Sequence, residues 1–107
     1  MEAVKLYING EWSSSSTTET TPVFNPSDGT QIAATPMCGE GEVTQAIDAA
    51  ANAFPAWANT PAVDRARIMF RWVHLMEENF EELSQLVTRE HGKTLEHSVG
   101  VIPVKRD

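Results

Sequence analysis

Cys38 is the only thiol in the chain, so no internal disulfide and no cysteine-based metal framework can form. No apolar run approaches the ~18–20 residues of a membrane span. The opening Met1-Glu2-Ala3-Val4-Lys5 lacks the basic start and long apolar stretch of a secretory signal. Basic residues are scarce as well: residues 1–55 hold one, Lys5, against seven acids, and the whole chain carries eight bases against fifteen acids, a net charge of −7. Phosphate backbones and anionic lipid repel such a chain, which sets nucleic acid and membrane surfaces aside as partners. Large aliphatic and aromatic side chains are thin too. Leu, Ile, Val and Phe number 23 of 107 residues, just above the ~20% level below which disorder sets in. Alanine, which supplies little area, makes up much of the apolar count. These absences describe one small, soluble domain with a marginal core, expected in the cytoplasm, with the mitochondrion as the alternative.

What is present changes character along the chain. Residues 1–36 read as strands and turns. Leu6-Tyr7-Ile8 is β-prone and runs into Asn9-Gly10, the strongest two-residue signal for a type I′ hairpin, with Glu11-Trp12 starting the return strand. Ser13 to Thr21 is Ser, Thr and Glu throughout and is expected to be an exposed connection. Asn25-Pro26-Ser27-Asp28-Gly29 concentrates turn formers, Thr30-Gln31-Ile32-Ala33 is the next strand, and Pro36 ends it.

From Glu40 the apolar period lengthens to about 3.6. Val43, Ile47, Ala50, Phe54 and Trp57 fall on one helical face, and Pro55, having no amide donor, is expected to kink or end that helix near residue 57. Thr60-Pro61 predicts a restart, with Thr60 as N-cap and Pro61 in the first helical position. Ile68, Trp72, Leu75 and Met76 form the inner stripe of this second helix, flanked by Met69 and Val73, while Arg65, Arg67 and Arg71 take the wetter sides. Asn79 and Glu82 fit a capping box for a third helix that buries Phe80, Leu83, Leu86 and Val87, and Gly92 supplies its left-handed terminator. Thr94 could open a short fourth helix through Leu95 and Val99, which Gly100 and Pro103 would stop.

No constellation assembles into an active site. Gly92-Lys93-Thr94 matches the end of a phosphate-binding loop, but Val87 stands where the first glycine is needed, and a helix precedes it instead of a strand. Cys38 would need a paired base to act as a nucleophile, and none of His74, His91 and His97 is paired with it by any motif. His91 and His97 also lack the helical i, i+4 spacing of a zinc pair. Glu77, Glu78, Glu81 and Glu82 are explained by the start of the third helix, where acids meet the positive end of the dipole. Asn25-Pro26-Ser27 is no glycosylation acceptor, because proline occupies its middle position.

Several spaced segments nevertheless resemble one family. Leu6-Tyr7-Ile8-Asn9-Gly10-Glu11-Trp12, Asn25-Pro26 with Gly29, the alanine-rich run from Ala46 to Phe54-Pro55-Ala56-Trp57, and Thr60-Pro61 with Arg65 and Arg67 are similar to the amino-terminal segment of the aldehyde dehydrogenase superfamily. Leu75, Glu77, Asn79, Glu82-Leu83 and Thr88 through Glu90-His91-Gly92-Lys93-Thr94-Leu95 continue the likeness to about Gly100. The Phe-Pro-Ala-Trp and Glu-His-Gly-Lys-Thr-Leu forms are most similar to the methylmalonate-semialdehyde dehydrogenase branch.

The resemblance implies an NAD-dependent oxidoreductase. In such enzymes hydride passes from a covalent thiohemiacetal to NAD, leaving a thioester that coenzyme A resolves in this branch. It also implies that the catalytic cysteine, the oxyanion asparagine, the glutamate base and the cofactor fold lie downstream of the matched region. No residue here therefore inherits a catalytic, cofactor-binding or metal role, and the chain alone is expected to be an inactive, truncated amino-terminal piece. The fold implied is an α+β fragment of an α/β enzyme: strand-rich over 1–36, helical over 40–99 with three to four helices, and divergent over 101–107. In the family these elements form the outer part of the cofactor-binding domain. Val43, Ile47, Phe54, Trp57, Ile68, Trp72, Leu75, Phe80 and Leu83 are accordingly expected to include surface that stays exposed, available to a partner such as a full-length homologue. The competing reading is a small acidic helical interaction module; an autonomous enzyme built on Cys38 is the remote third.

Overall fold

The computed structural model describes residues 1–96 and resolves them into two compact units, one formed by Met1–Phe24 with Gln31–Asn59 and the other by Asn25–Thr30 with the chain from Thr60 onward.

The first unit holds two antiparallel ribbons and a helix. Strand β1 (Leu6–Ile8) pairs with β2 (Glu11–Ser13), with Tyr7 opposite Trp12. Asn9 and Gly10 join them at φ of 53° and 78°, the two left-handed residues a type I′ turn demands. The Tyr7 and Trp12 rings meet across the ribbon with centroids 4.7 Å apart, a cross-strand pair of the kind that contributes ~0.2–1 kcal/mol. Strand β3 (Thr20–Phe24) pairs with β4 (Gln31–Pro36) from Thr20 opposite Pro36 to Phe24 opposite Gln31, with a bulge between Val23 and Phe24. On its other edge β4 receives the chain's start: Ala3 bridges Ala34 in parallel, and the Val4 amide donates to the Ala34 carbonyl at 2.8 Å. Ala34, flanked on both edges, is 2% exposed. The connection between the ribbons is shorter than its composition suggests, since Ser13 ends β2 and Thr20 and Thr21 already belong to β3.

Helix α1 (Glu40–Asn59) does not stop at Pro55. One proline in a long helix removes a single bond to the carbonyl four residues back, and the surrounding turns carry the helix through it to Asn59. Its apolar stripe is in open water: Val43, Ile47, Phe54 and Trp57 are all exposed, and no residue of α1 is buried.

The second unit contains the Asn25–Thr30 turn, α2 (Ala62–Glu78) and α3 (Phe80–His91). The turn closes on itself. Asn25 donates its amide to the Thr30 carbonyl, Gly29 donates to the Asn25 carbonyl, Ser27 donates to Asn25 Oδ1, and Thr30 binds Asp28 Oδ1 through both its amide and its hydroxyl. These last two bonds hold the Asp28 carboxyl below its ordinary value. Helix α2 starts one residue later than expected, because Pro61 is the N-cap at φ −53° and ψ 143° and its carbonyl receives the amides of Asp64 and Arg65. Thr60 instead offers its carbonyl to Arg65 Nε at 3.0 Å.

Asn79 also departs from the expected capping box. Its side-chain amide turns back to the Leu75 carbonyl at 2.8 Å, so it closes α2 and makes no side-chain cap to α3. With so short a junction, the orphan carbonyls of the helix behind compete with the orphan amides of the helix ahead, and here the carbonyls win. The inner stripe expected of α2 is only partly inside: Val73 and Met76 are half-buried, while Ile68, Trp72 and Leu75 are exposed. On α3 Phe80 is buried as expected, Leu83 and Val87 are half-buried, and Leu86 is exposed. The expected fourth helix runs into residues 97–107, outside the described part; Leu95 and Glu96 are helical.

Gly92 terminates α3 at φ 78°, its amide bonded to the Thr88 carbonyl, and a Cβ there would lie 2.8 Å from Pro26 Cγ. Gly10 shares the backbone conformation but has open space around it. Gly10→Ala is therefore expected to cost about 1 kcal/mol, the conformational term alone, and Gly92→Ala about 2–4 kcal/mol, with the clash added. Adding Pro26→Ala to Gly92→Ala should recover the excess but not the first kilocalorie. Urea unfolding midpoints of the three variants check this; equal losses at Gly10 and Gly92 would remove the contact.

Candidate functional site

The chain's polar side chains converge most closely in the first unit, where a serine run meets the first turn of α1. Glu42 Oε1 accepts three hydrogen bonds: from Ser15 Oγ at 2.8 Å, from the Ser16 amide at 2.9 Å and from Ser16 Oγ at 2.7 Å. The Thr17 amide donates to Ser15 Oγ at 3.2 Å, and the Cys38 thiol lies 3.7 Å from the same oxygen. The second carboxylate oxygen, Oε2, is buried without a partner. The Ser16 hydroxyl, then the Ser15 hydroxyl and the Ser16 amide, and least the Cys38 thiol, hold the Glu42 carboxyl below its ordinary value. Its ionised form thus sits at the amino end of a helix, where the dipole favours it.

The arrangement is a carboxylate clamp on a loop. A nucleophilic serine or cysteine needs a base to take its proton. Oε1 of the one carboxylate here accepts all three bonds, Oε2 is left unpartnered, and the first unit contains no histidine. Cys38 is half-buried, and its sulfur faces a hydroxyl. Residue reading missed this cluster because Ser13 to Thr21 carries no apolar pattern; the acid in the first turn of an approaching helix was the available signal.

In the second unit His74 Nε2 lies 3.1 Å from Glu78 Oε1, an exposed i, i+4 pair along α2. His91 is in the last turn of α3, and His97 falls outside the described residues. Among the described residues no three His, Cys, Asp or Glu side chains stand close enough to share a metal ion. Lys93 follows the left-handed Gly92 at a helix end, which is the cap reading of Gly92-Lys93-Thr94. The four glutamates divide: Glu81 and Glu82 occupy the first turn of α3, as expected, but Glu77 and Glu78 belong to the end of α2, where the dipole does not favour them. No helix among the described residues is long and apolar enough to cross a membrane.

The sequence model of the aldehyde dehydrogenase family matches residues 12–105. The chain belongs to that family. Among curated family members, the malonate-semialdehyde dehydrogenase of Bacillus cytotoxicus is 39% identical over 102 residues, covering 95% of this chain and 21% of its own length. Malonate-semialdehyde dehydrogenase 1 of Geobacillus kaustophilus is 43% identical over 99 residues, covering 92% and 20%. The methylmalonate-semialdehyde dehydrogenase structure from Oceanimonas doudoroffii superposes at a TM-score of 0.84–0.85 alongside the Escherichia coli NADP-dependent enzyme. The first is 38% identical and shares 94% of this chain and 20% of its own; the second is 40% identical and shares 92% and 20%. The chain spans about a fifth of the length of the curated relatives it matches. Among the described residues, four strands in two hairpins and three helices match the amino-terminal part of the aldehyde dehydrogenase fold, as the resemblance implied. Solved family members include complexes with NAD and with NADP.

The clamp has a pH signature. Because the folded Glu42 carboxyl titrates below its ordinary 4.5, the unfolded chain binds the proton first as pH falls. The stabilisation is complete above about pH 4.5 and is lost as pH drops through the lower folded value; Asp28 acts in the same direction from 3.8. Unfolding midpoints measured between pH 3 and 6 should fall with acidification, and Glu42→Gln should flatten part of that slope. An unchanged slope in Glu42→Gln would mean that the three bonds to Oε1 do not distinguish the ionised form.

Proposed function

We propose that these 107 residues form a non-catalytic, amino-terminal portion of an NAD-dependent aldehyde dehydrogenase of the malonate or methylmalonate semialdehyde type. In the intact family member, semialdehyde, coenzyme A and NAD would give acyl-coenzyme A and NADH. The reading is supported by 39–43% identity to malonate-semialdehyde dehydrogenases over more than nine-tenths of the chain. One observation carries the reading that the chain alone is inactive: it spans about a fifth of the length of the curated relatives it matches. In the thiohemiacetal mechanism that the resemblance implies, the nucleophile, its activating glutamate and the cofactor fold would all come from outside these residues. The elements contribute framework instead, and the ribbons and helices would position segments that do bind cofactor.

Purified chain supplied with NAD, coenzyme A and methylmalonate semialdehyde should produce no NADH. Turnover that disappears in Cys38→Ser would overturn the proposal by making Cys38 the nucleophile.

The second reading, an interaction module, is favoured by the stripe on α1, where Ile47 and Phe54 are 61% and 65% exposed and Val43 and Trp57 complete the row. An apolar row of four residues along a helix is the usual form of a helix-in-groove contact. Its partner would be an intact homologous dehydrogenase. The chain mixed with such an enzyme at micromolar concentration should co-elute with it, and Ile47→Asp should abolish the co-elution. Separate elution of the unmodified chain would dismiss this reading while leaving the first intact.

A further inference from the structure

Two places in the chain put a glycine directly after a residue whose side-chain carbonyl is attached to Cβ: Asn9-Gly10 and Asp28-Gly29. In that arrangement the glycine nitrogen can reach the side-chain carbonyl carbon and close a ring, since no Cβ stands in its way. The structure separates the two places. Gly29 donates its amide to the Asn25 carbonyl at 2.8 Å, and the Asp28 carboxyl is held by the Thr30 amide at 2.9 Å and the Thr30 hydroxyl at 2.7 Å. Nitrogen and carbon are thus each tied to something else. The same bonds hold that carboxyl below its ordinary value, in the ionised form that resists attack. Asn9-Gly10 carries none of these ties among the described residues. Both residues are exposed, and a Cβ at Gly10 would meet nothing within 4 Å beyond its chain neighbours. Their turn belongs to a ribbon of two three-residue strands that pair only with each other, and every residue of β2 is exposed. Such a hairpin is marginal in water. The other asparagines are worse placed: Asn52, Asn59 and Asn79 are followed by Ala53, Thr60 and Phe80, whose side chains crowd the ring, and Asn25 by Pro26, which has no amide proton to give up.

We propose that Asn9 is a site of spontaneous deamidation through a succinimide, and that Asp28 is spared. The Gly10 nitrogen attacks Asn9 Cγ and a bond forms between them. The bond from Cγ to Nδ2 breaks, and the proton lost by the Gly10 amide leaves with Nδ2 as ammonia. Water then opens the imide. Breaking the bond from the Gly10 nitrogen to Cγ leaves aspartate at position 9. Breaking the bond from that nitrogen to the Asn9 backbone carbonyl leaves isoaspartate, in which the main chain runs through Cβ and Cγ. No oxidant or reductant takes part. Ring closure needs the peptide to rotate out of its left-handed geometry, so the rate follows opening of the ribbon. The isoaspartate lengthens a two-residue turn by one backbone atom, which removes the geometry that sets Tyr7 opposite Trp12. It also adds a negative charge to a groove that Asn9 shares with Glu11 and Asp48. The proposal goes beyond the framework role and does not depend on it.

Peptide mass spectrometry of the 107-residue chain, aged at neutral pH in heavy-oxygen water beside the same chain in urea, tests it. The expected result is label at position 9, with isoaspartate in excess of aspartate, at a rate within about tenfold of that in urea because the ribbon opens readily. At Asp28 the folded chain should fall behind its own urea control by well over that factor, and Asn52, Asn59 and Asn79 should stay unlabelled in the folded chain. Gly10→Ala should slow conversion at least about tenfold, since the added methyl crowds the attacking nitrogen. That change loosens the turn, so slowing of this kind cannot come from a less stable ribbon. An Asn9 as strongly protected by folding as Asp28, label confined to aspartate, or a Gly10→Ala chain that converts as fast as the original would each overturn the proposal. Amide hydrogen exchange across Leu6–Ile8 and Glu11–Ser13 should be faster in the aged chain, and unchanged exchange would overturn the loss of register.

Discussion

Phe80 and Ser84 lie one turn apart on α3, and their joint burial is the interaction on which the second unit depends. Phe80 is 2% exposed and is the one large apolar side chain wholly withdrawn from water among the described residues. Withdrawal of such a ring stabilises by ~1.5–3 kcal/mol. The same packing forces a hydroxyl inside at Ser84, which is 0% exposed. That would be costly, except that its oxygen donates to the Phe80 carbonyl at 2.8 Å and so meets its own requirement within the helix. The glycine that closes the helix completes the arrangement, because the missing Cβ at Gly92 is what lets Pro26 of the turn approach.

Elsewhere order comes from local devices more than from an interior. The β1–β2 ribbon rests on a turn with two left-handed residues, β4 is bonded on both edges, and the serine loop is tied to α1 by three bonds to one carboxylate oxygen. None of these needs a deep core, which suits a chain in which Val43, Ile47, Phe54, Phe70 and Trp72 all face water. Exposed apolar rows run along α1 and α2. In the proposed framework role those rows are contact surfaces.

Much of this was legible from residues alone, and the reason is the same in each case. Asn9-Gly10 and Gly92 were readable because a positive φ restricts residue choice more sharply than any other local requirement. The helices were readable because period 3.6 recurs over many residues. What failed were decisions between neighbours. Asn79 could cap forward or backward, and Pro61 could stand at the cap or just after it. Each turns on differences of about 1 kcal/mol that packing decides and local pattern does not record. The depth of the inner stripe on α2 was misjudged for another reason: periodicity shows which side is apolar, not whether anything covers it.

The Glu42 cluster was illegible in a stricter sense, and it bears on how the absence of chemistry should be argued. A serine, a cysteine and a glutamate stand within hydrogen-bonding distance here, and the bonds run from the thiol and the hydroxyls toward the carboxylate. All three donors point to one oxygen of an ionised carboxylate, so the group stabilises negative charge on itself and has no accepting role left at that oxygen for a reacting hydroxyl. The Cys38 thiol, 3.7 Å from Ser15 Oγ, donates into the same set of bonds and adds to the lowering of the Glu42 carboxyl. Together these bonds fasten the serine loop to the first turn of a helix.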